Sequence, residues 1–141
     1  MKDLIKMVDL RNQYLNIKTE IDEKIQETID STHFIGGKNV EDFKISFQKY
    51  LGVNYVIPCA NGTDALQISL MSLSLKRGDE IIVPAFTYVS TAEVISILGL
   101  KPIIVDVDYS NFNISIHKLE GLITKKTKAI IPVHLFGQSS P

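Results

Sequence analysis

Cysteine occurs once in the 141 residues, at Cys59, so the chain can build neither an internal disulfide nor a cysteine metal cluster. An excess of one charge is missing too. Lys and Arg number 15 and Asp and Glu 16, a formal net charge of −1. A nucleic-acid partner calls for a basic surplus, so none is expected. No apolar run approaches the roughly 18 residues that cross a membrane. Residues Met1–Lys6 lack the apolar stretch of a secretory leader, and the cytoplasm is the expected compartment. The sequence contains no GxGxxG, no GxxxxGK(S/T) and no GxSxG, which weakens dinucleotide, P-loop and hydrolase readings.

What is present reads as a globular domain. Hydrophobic residues make up 45% and charged residues 22%, and the length suffices for one domain with a real core. The stretch around which the chain is organised is Ile57-Pro58-Cys59-Ala60-Asn61-Gly62-Thr63-Asp64-Ala65-Leu66. Tyr55-Val56-Ile57 before it has the composition of a strand. Apolar Leu66, Leu70 and Leu73, with Ala65, Ile68 and Met71, give the segment after it helical spacing over most of its circumference, as in a buried helix. Asn61, Thr63 and Asp64 can each cap a helix, and Gly62 admits a close approach to the backbone. Two readings stand: an ordinary capped turn, or an anion site at a helix N-terminus that suits a phosphate. Cys59, at the end of the expected strand, reads as a small buried filler.

Upstream, Ile17, Ile21, Ile25 and Ile29 mark one apolar face of an amphipathic helix over 14–30, docked on its own domain or on a second subunit. A loop carries His33, expected in solvent, and Phe34 and Ile35, which can pack down or line a pocket, packing being the expectation. A helix over 40–51 ends at Gly52. Downstream, Lys76-Arg77-Gly78-Asp79 is expected to stop the helix of the organising stretch. Strands follow at 80–83, 102–105 and 128–131, alternating with helices near 92–98 and after Ser115, and Pro132 marks a break. Counting the strand at 54–57, this is the α/β pattern: a three-layer αβα domain with a mostly parallel sheet covered on both faces. Ligands of such sheets bind beyond the carboxyl ends of the strands. The loops 59–64, 84–91 and 106–111 and the segment His134–Gln138 are expected there together.

Several runs taken in order resemble one family: Ala60-Asn61-Gly62-Thr63-Asp64-Ala65-Leu66, Gly78-Asp79-Glu80-Ile81-Ile82-Val83-Pro84, Phe86-Thr87-Tyr88-Val89-Ser90-Thr91-Ala92-Glu93 and Lys128 through Gln138. Val8-Asp9-Leu10 and Phe34-Ile35-Gly36 fit as well. The chain resembles the DegT/DnrJ/EryC1/StrS sugar aminotransferases over essentially its whole length. The resemblance implies the N-terminal part of the large domain of a fold-type I pyridoxal 5'-phosphate enzyme, with an N-terminal helix and loop over 1–39 and part of the cofactor domain over 40–141. It implies that Gly62, Thr63 and the Asp64 backbone hold the cofactor phosphate and that the Tyr88 ring stacks on the pyridine. The read-off from residues alone makes Tyr88 a core tyrosine. The implied substrates are glutamate and a nucleotide-linked keto sugar, for amino sugars of cell-surface polysaccharides, and the implied assembly is a homodimer. The family's Schiff-base lysine and pyridinium aspartate are expected beyond Pro141, so the chain alone is expected to be inactive. Lys101, Lys125, Lys126 and Lys128 read as surface lysines. A sugar dehydratase of the same family, and a non-catalytic degenerate fragment, are the competing readings.

Overall fold

The computed structural model describes residues 7–141, so the reading of Met1–Lys6 lies outside the described residues. The chain divides into two compact units, one ending at Pro58 and one spanning Cys59–Pro141. Among the described residues no helix is long and apolar enough to cross a membrane.

The first unit is helical: α1 (Leu10–Asn16), α2 (Lys18–Ser31) and α3 (Lys38–Leu51). Asp9 caps α1 by accepting the Asn12 N–H. The single helix expected over 14–30 is divided at Ile17, whose φ of −121° leaves the helical region. The Tyr14 hydroxyl donates to Asp22 across the division, and Lys18 pairs with the same carboxylate. Helix α3 ends at Gly52 in the left-handed conformation that glycine adopts without strain. Ile21, Ile25 and Ile29, with Phe34 and Phe43, line an open apolar groove of about 830 Å³. Phe34 and Ile35 do not pack down; both are exposed, and Phe34 lines the groove, the other reading its sequence allowed. His33 is in solvent, as read.

The second unit contains α4 (Gly62–Met71), β1 (Glu80–Pro84), α5 (Ser90–Ile97), β2 (Lys101–Val105), α6 (Ile116–Leu119) and β3 (Thr127–Ile130). The strands form a parallel sheet in the order β2-β1-β3. Side chains alternate across it. Ile81 and Val83 join Leu70, Val94, Ile95 and Leu100 on the α4/α5 face. Ile82 joins Val105 and Ile114 on the other, with Leu119 and Leu122 packed against them. Helical elements therefore cover both faces of β1, the three-layer arrangement expected. Each of these buried aliphatic side chains contributes about 1.5–3 kcal/mol by leaving water.

Four expectations fail along residues 54–79. Residues 54–57 form no strand. Among the described residues the sheet consists of β2, β1 and β3, all in the second unit, and residues 54–57 fall at the end of the first. Ile57 is accordingly 79% exposed, and Cys59 is exposed rather than a buried filler. Helix α4 is not buried all round: Leu70 is buried and Leu66 packs on the core, while Ile68 and Met71 face outward, since one side of a helix suffices to cover the sheet. It also stops at Met71, well before the basic pair. Residues 76–79 form a separate turn, with the Lys76 N–H on the Asp79 carboxylate at 2.8 Å and Gly78 at φ 86°.

Candidate functional site

The turn into α4 is built by Asn61. Its side-chain oxygen accepts the Asp64 N–H at 2.9 Å, and its amide donates to the Asp64 carboxylate at 3.1 Å. Of the three possible caps, Asn61 is the one used, and Asp64 answers it reciprocally. The first helical bond runs from the Ala65 N–H to the Asn61 carbonyl at 3.1 Å. The N–H groups of Gly62 and Thr63 precede it and have no partner within the helix. A side chain at Gly62 would meet no atom within 4 Å, and Gly62 itself is exposed. The Asp64 N–H is committed to the cap, which leaves the Gly62 and Thr63 N–H groups and the Thr63 hydroxyl as the donors this turn could offer an anion. The dipole of α4 adds partial positive charge at the same place.

Tyr88 stands on the loop between β1 and α5. Its carbonyl accepts the Thr91 N–H at 3.2 Å, which holds the residue at the entry of α5. Its side chain is 76% exposed, so it is not a core tyrosine and its ring face is accessible. The structure thus puts Gly62, Thr63 and Asp64 in one helical turn and Tyr88 on a separate loop. No hydrogen bond or ring contact joins the two among the described residues. The helices that follow them, α4 and α5, share one core cluster.

The loops beyond β1, β2 and β3 meet at the carboxyl edge of the sheet. The Ala85 N–H donates to the Val105 carbonyl at 2.7 Å, and the Phe86 and Phe112 rings lie 5.7 Å apart. Tyr109 extends this aromatic group, its ring 6.2 Å from Phe112. Phe112 and Phe136 both adopt positive φ, at 57° and 55°, a strained state for a bulky residue. The Lys118 ammonium and the Val107 N–H hold the Asp106 carboxyl below its usual range. The Ser110 hydroxyl and N–H do the same for Asp108. With Tyr109, Phe112, Ser115 and Lys118 these carboxylates line a cavity of about 350 Å³.

Sequence reasoning missed Asn113, which is 1% exposed in the middle of this edge. An asparagine in a polar loop reads as a turn former, and nothing in the pattern marks one for burial. Lys118 lines that cavity, whereas the four lysines singled out in the sequence lie elsewhere. Lys101 begins β2, and Lys125, Lys126 and Lys128 flank the start of β3, on the edge opposite Tyr88.

Residues 15–141 match the DegT/DnrJ/EryC1/StrS aminotransferase family. The UDP-2-acetamido-2-deoxy-3-oxo-D-glucuronate aminotransferase of Pseudomonas aeruginosa is 47% identical over 96% of this chain, but over 38% of its own length. A solved DegT DnrJ EryC1 StrS aminotransferase from Brucella abortus superimposes with a TM-score of 0.91 at 37% identity, over 98% of this chain and 39% of that one. A structure from Bacillus subtilis with bound cofactor PMP matches with a TM-score of 0.83 at 37% identity, over 89% of this chain and 29% of that one. The chain therefore spans well under half the length of each of these relatives.

Proposed function

Because the chain belongs to the DegT/DnrJ/EryC1/StrS aminotransferase family, we propose that it is the N-terminal, cofactor-holding part of a pyridoxal 5'-phosphate enzyme. The reaction is transfer of an amino group from glutamate to a nucleotide-linked keto sugar, by a homodimer in the cytoplasm. The oxo group in the name of the Pseudomonas relative favours a 3-keto sugar on a uridine nucleotide. The observation that carries the reading is the open turn at Gly62 and Thr63, two unpaired helix-start donors and a hydroxyl, in a unit that also presents the Tyr88 ring to solvent.

The donor set fits the group. A phosphate carries charge to a place where N–H groups and a helix dipole already point. Asn61 supports this by drawing the Asp64 carboxylate to itself, away from an arriving anion. Tyr88 offers a flat face for a heteroaromatic ring, and its hydroxyl is dispensable for that contact. When bound, pyridoxal phosphate supplies the electron sink that amino transfer needs. This chain's residues bind its phosphate and orient its ring.

The test uses the full-length protein. It is expected to bind pyridoxal phosphate and to aminate a UDP-linked 3-keto sugar in the presence of glutamate, read by absorbance and by mass spectrometry of the nucleotide product. Failure to bind pyridoxal phosphate would overturn the reading. The 141-residue polypeptide alone is expected to give no single stoichiometric borohydride-stable lysine adduct, because Lys101, Lys125, Lys126 and Lys128 stand on the edge away from Tyr88 and Lys118, on the carboxyl edge, is paired with the Asp106 carboxylate.

A further inference from the structure

Asn113 is the most deeply buried polar residue at the carboxyl edge of the sheet among the described residues, and its amide reaches a distant stretch of chain. Its Nδ2 donates to the Ser139 carbonyl at 3.5 Å, and its Oδ1 lies 3.3 Å from the Ser140 hydroxyl. That hydroxyl donates to the Val133 carbonyl at 2.8 Å, closing the segment 133–140 on itself. The Asn113 backbone is equally committed: its N–H donates to the Asn111 side chain at 2.9 Å, and its carbonyl accepts the Asp108 N–H at 2.9 Å. A primary amide taken out of water needs partners, and those of Asn113 come from residues 139 and 140. Docking of that segment and burial of Asn113 are therefore one event.

The consequence falls on His134. The Ser140 N–H donates to His134 Nδ1 at 3.0 Å. A ring nitrogen that accepts carries no proton, so the neutral imidazole keeps its proton on Nε2. His134 is exposed, and it lies beyond the end of β3 on the edge shared with Tyr88. We propose that His134 is a substrate-binding residue of fixed tautomer, its Nε2–H donating to an oxygen of the nucleotide-linked keto sugar, and that Asn113 is the positioning residue that fixes it through Ser140. The substrate class rests on the function proposed above; the positioning of His134 does not.

Nitrogen NMR of the His134 ring in the full-length protein separates the two. The wild type is expected to show one tautomer with the proton on Nε2. Asn113→Ala is expected to convert it to a mixture of tautomers, and an unchanged ring would overturn the positioning role. Should that variant fail to fold, Ser140→Ala removes the hydroxyl that joins Asn113 to Val133 while keeping the N–H. It is expected to shift the same signals partway, and unchanged signals would again overturn the role. In turnover, His134→Ala is expected to raise KM for the keto-sugar nucleotide about two- to tenfold, as for one lost hydrogen bond. The double variant with Asn113→Ala should add nothing further, and additive losses would overturn the coupling. His134→Gln, which keeps a donor, should restore most of the affinity, and a Gln variant as weak as Ala would remove His134 from the site. A fixed tautomer in a protein that binds no keto-sugar nucleotide would refute the ligand assignment alone.

Discussion

The two edges of the same three-stranded sheet are built in opposite ways. At the amino edge, Glu80 is nearly buried and ties three strands together: it accepts from Lys101 Nζ at 3.1 Å, at the head of β2, and from the Thr124 hydroxyl at 2.7 Å, ahead of β3. Its own N–H donates to the Lys126 carbonyl at 2.9 Å. At the carboxyl edge the strands end in loops that expose Phe86, Tyr88, Tyr109 and Phe136 and hold two phenylalanines at positive φ. The first edge spends its polar groups on one another, whereas the second leaves rings and donors in reach of a ligand. Parallel strands make this asymmetry possible, because all their carboxyl ends emerge on one side.

The sharpest way to test the division is through the strand both edges share. Ile82 is fully buried, and Ile82→Ala should cost about 2–5 kcal/mol of stability, read by chemical denaturation of the full-length protein. A loss below about 1 kcal/mol would mean that β1 is not the centre of the core. At the ligand side, Thr63→Val should weaken pyridoxal phosphate binding about tenfold or more, the cost of a hydrogen bond to a charged group. Equilibrium dialysis giving the wild-type affinity would remove Thr63 from the site.

Asn61→Ala should lower stability by about 0.5–2 kcal/mol, as for other lost N-caps, and should free the Asp64 carboxylate to repel the phosphate. A variant that lost stability yet bound cofactor normally would make Asn61 a cap and nothing more. Tyr88→Ala should alter stability by less than about 0.5 kcal/mol, the usual effect at an exposed position. It should still impair cofactor retention severely, with Tyr88→Phe mild. Normal retention and turnover in Tyr88→Ala would end the stacking role.

The smallest expected effect belongs to the amino edge. The Thr124 hydroxyl first, and then Lys101, hold the Glu80 carboxyl below its ordinary value of 4.5. The unfolded chain binds this proton more readily than the native one. The contribution is therefore complete above about pH 4.5 and fades as pH falls through the lowered native value. Glu80→Gln should flatten that acid limb of a stability-against-pH curve and leave its shape near neutrality unchanged. An identical acid limb would show that the cluster carries no linkage.

How much of this was legible follows from what each feature depends on. Helix α3 and its Gly52 stop, the strands expected at 80–83 and 102–105 and the capped start of α4 rest on local periodicity and local backbone chemistry, and they stand within two residues of where the sequence puts them. The strand expected at 54–57 depends on a neighbour, and composition cannot say whether one is available. The buried Cys59 failed with it. The end of α4 was misjudged because Lys76 and Arg77 resemble a helix terminus, while Asp79 draws that turn toward β1 instead.

By itself the sequence determined the α/β class and the alternation of strands with helices, because these follow from short-range patterns. The residues alone left Gly62 and Thr63 between an ordinary capped turn and an anion site and made Tyr88 a core tyrosine, and only the family resemblance made all three cofactor residues. Only the tertiary structure decided that β1 is central, that Asn61 is the cap in use and that Asn113 is buried against Ser139 and Ser140. Each of those depends on which distant groups come within hydrogen-bonding distance, and a contact 26 residues apart leaves no period in the chain.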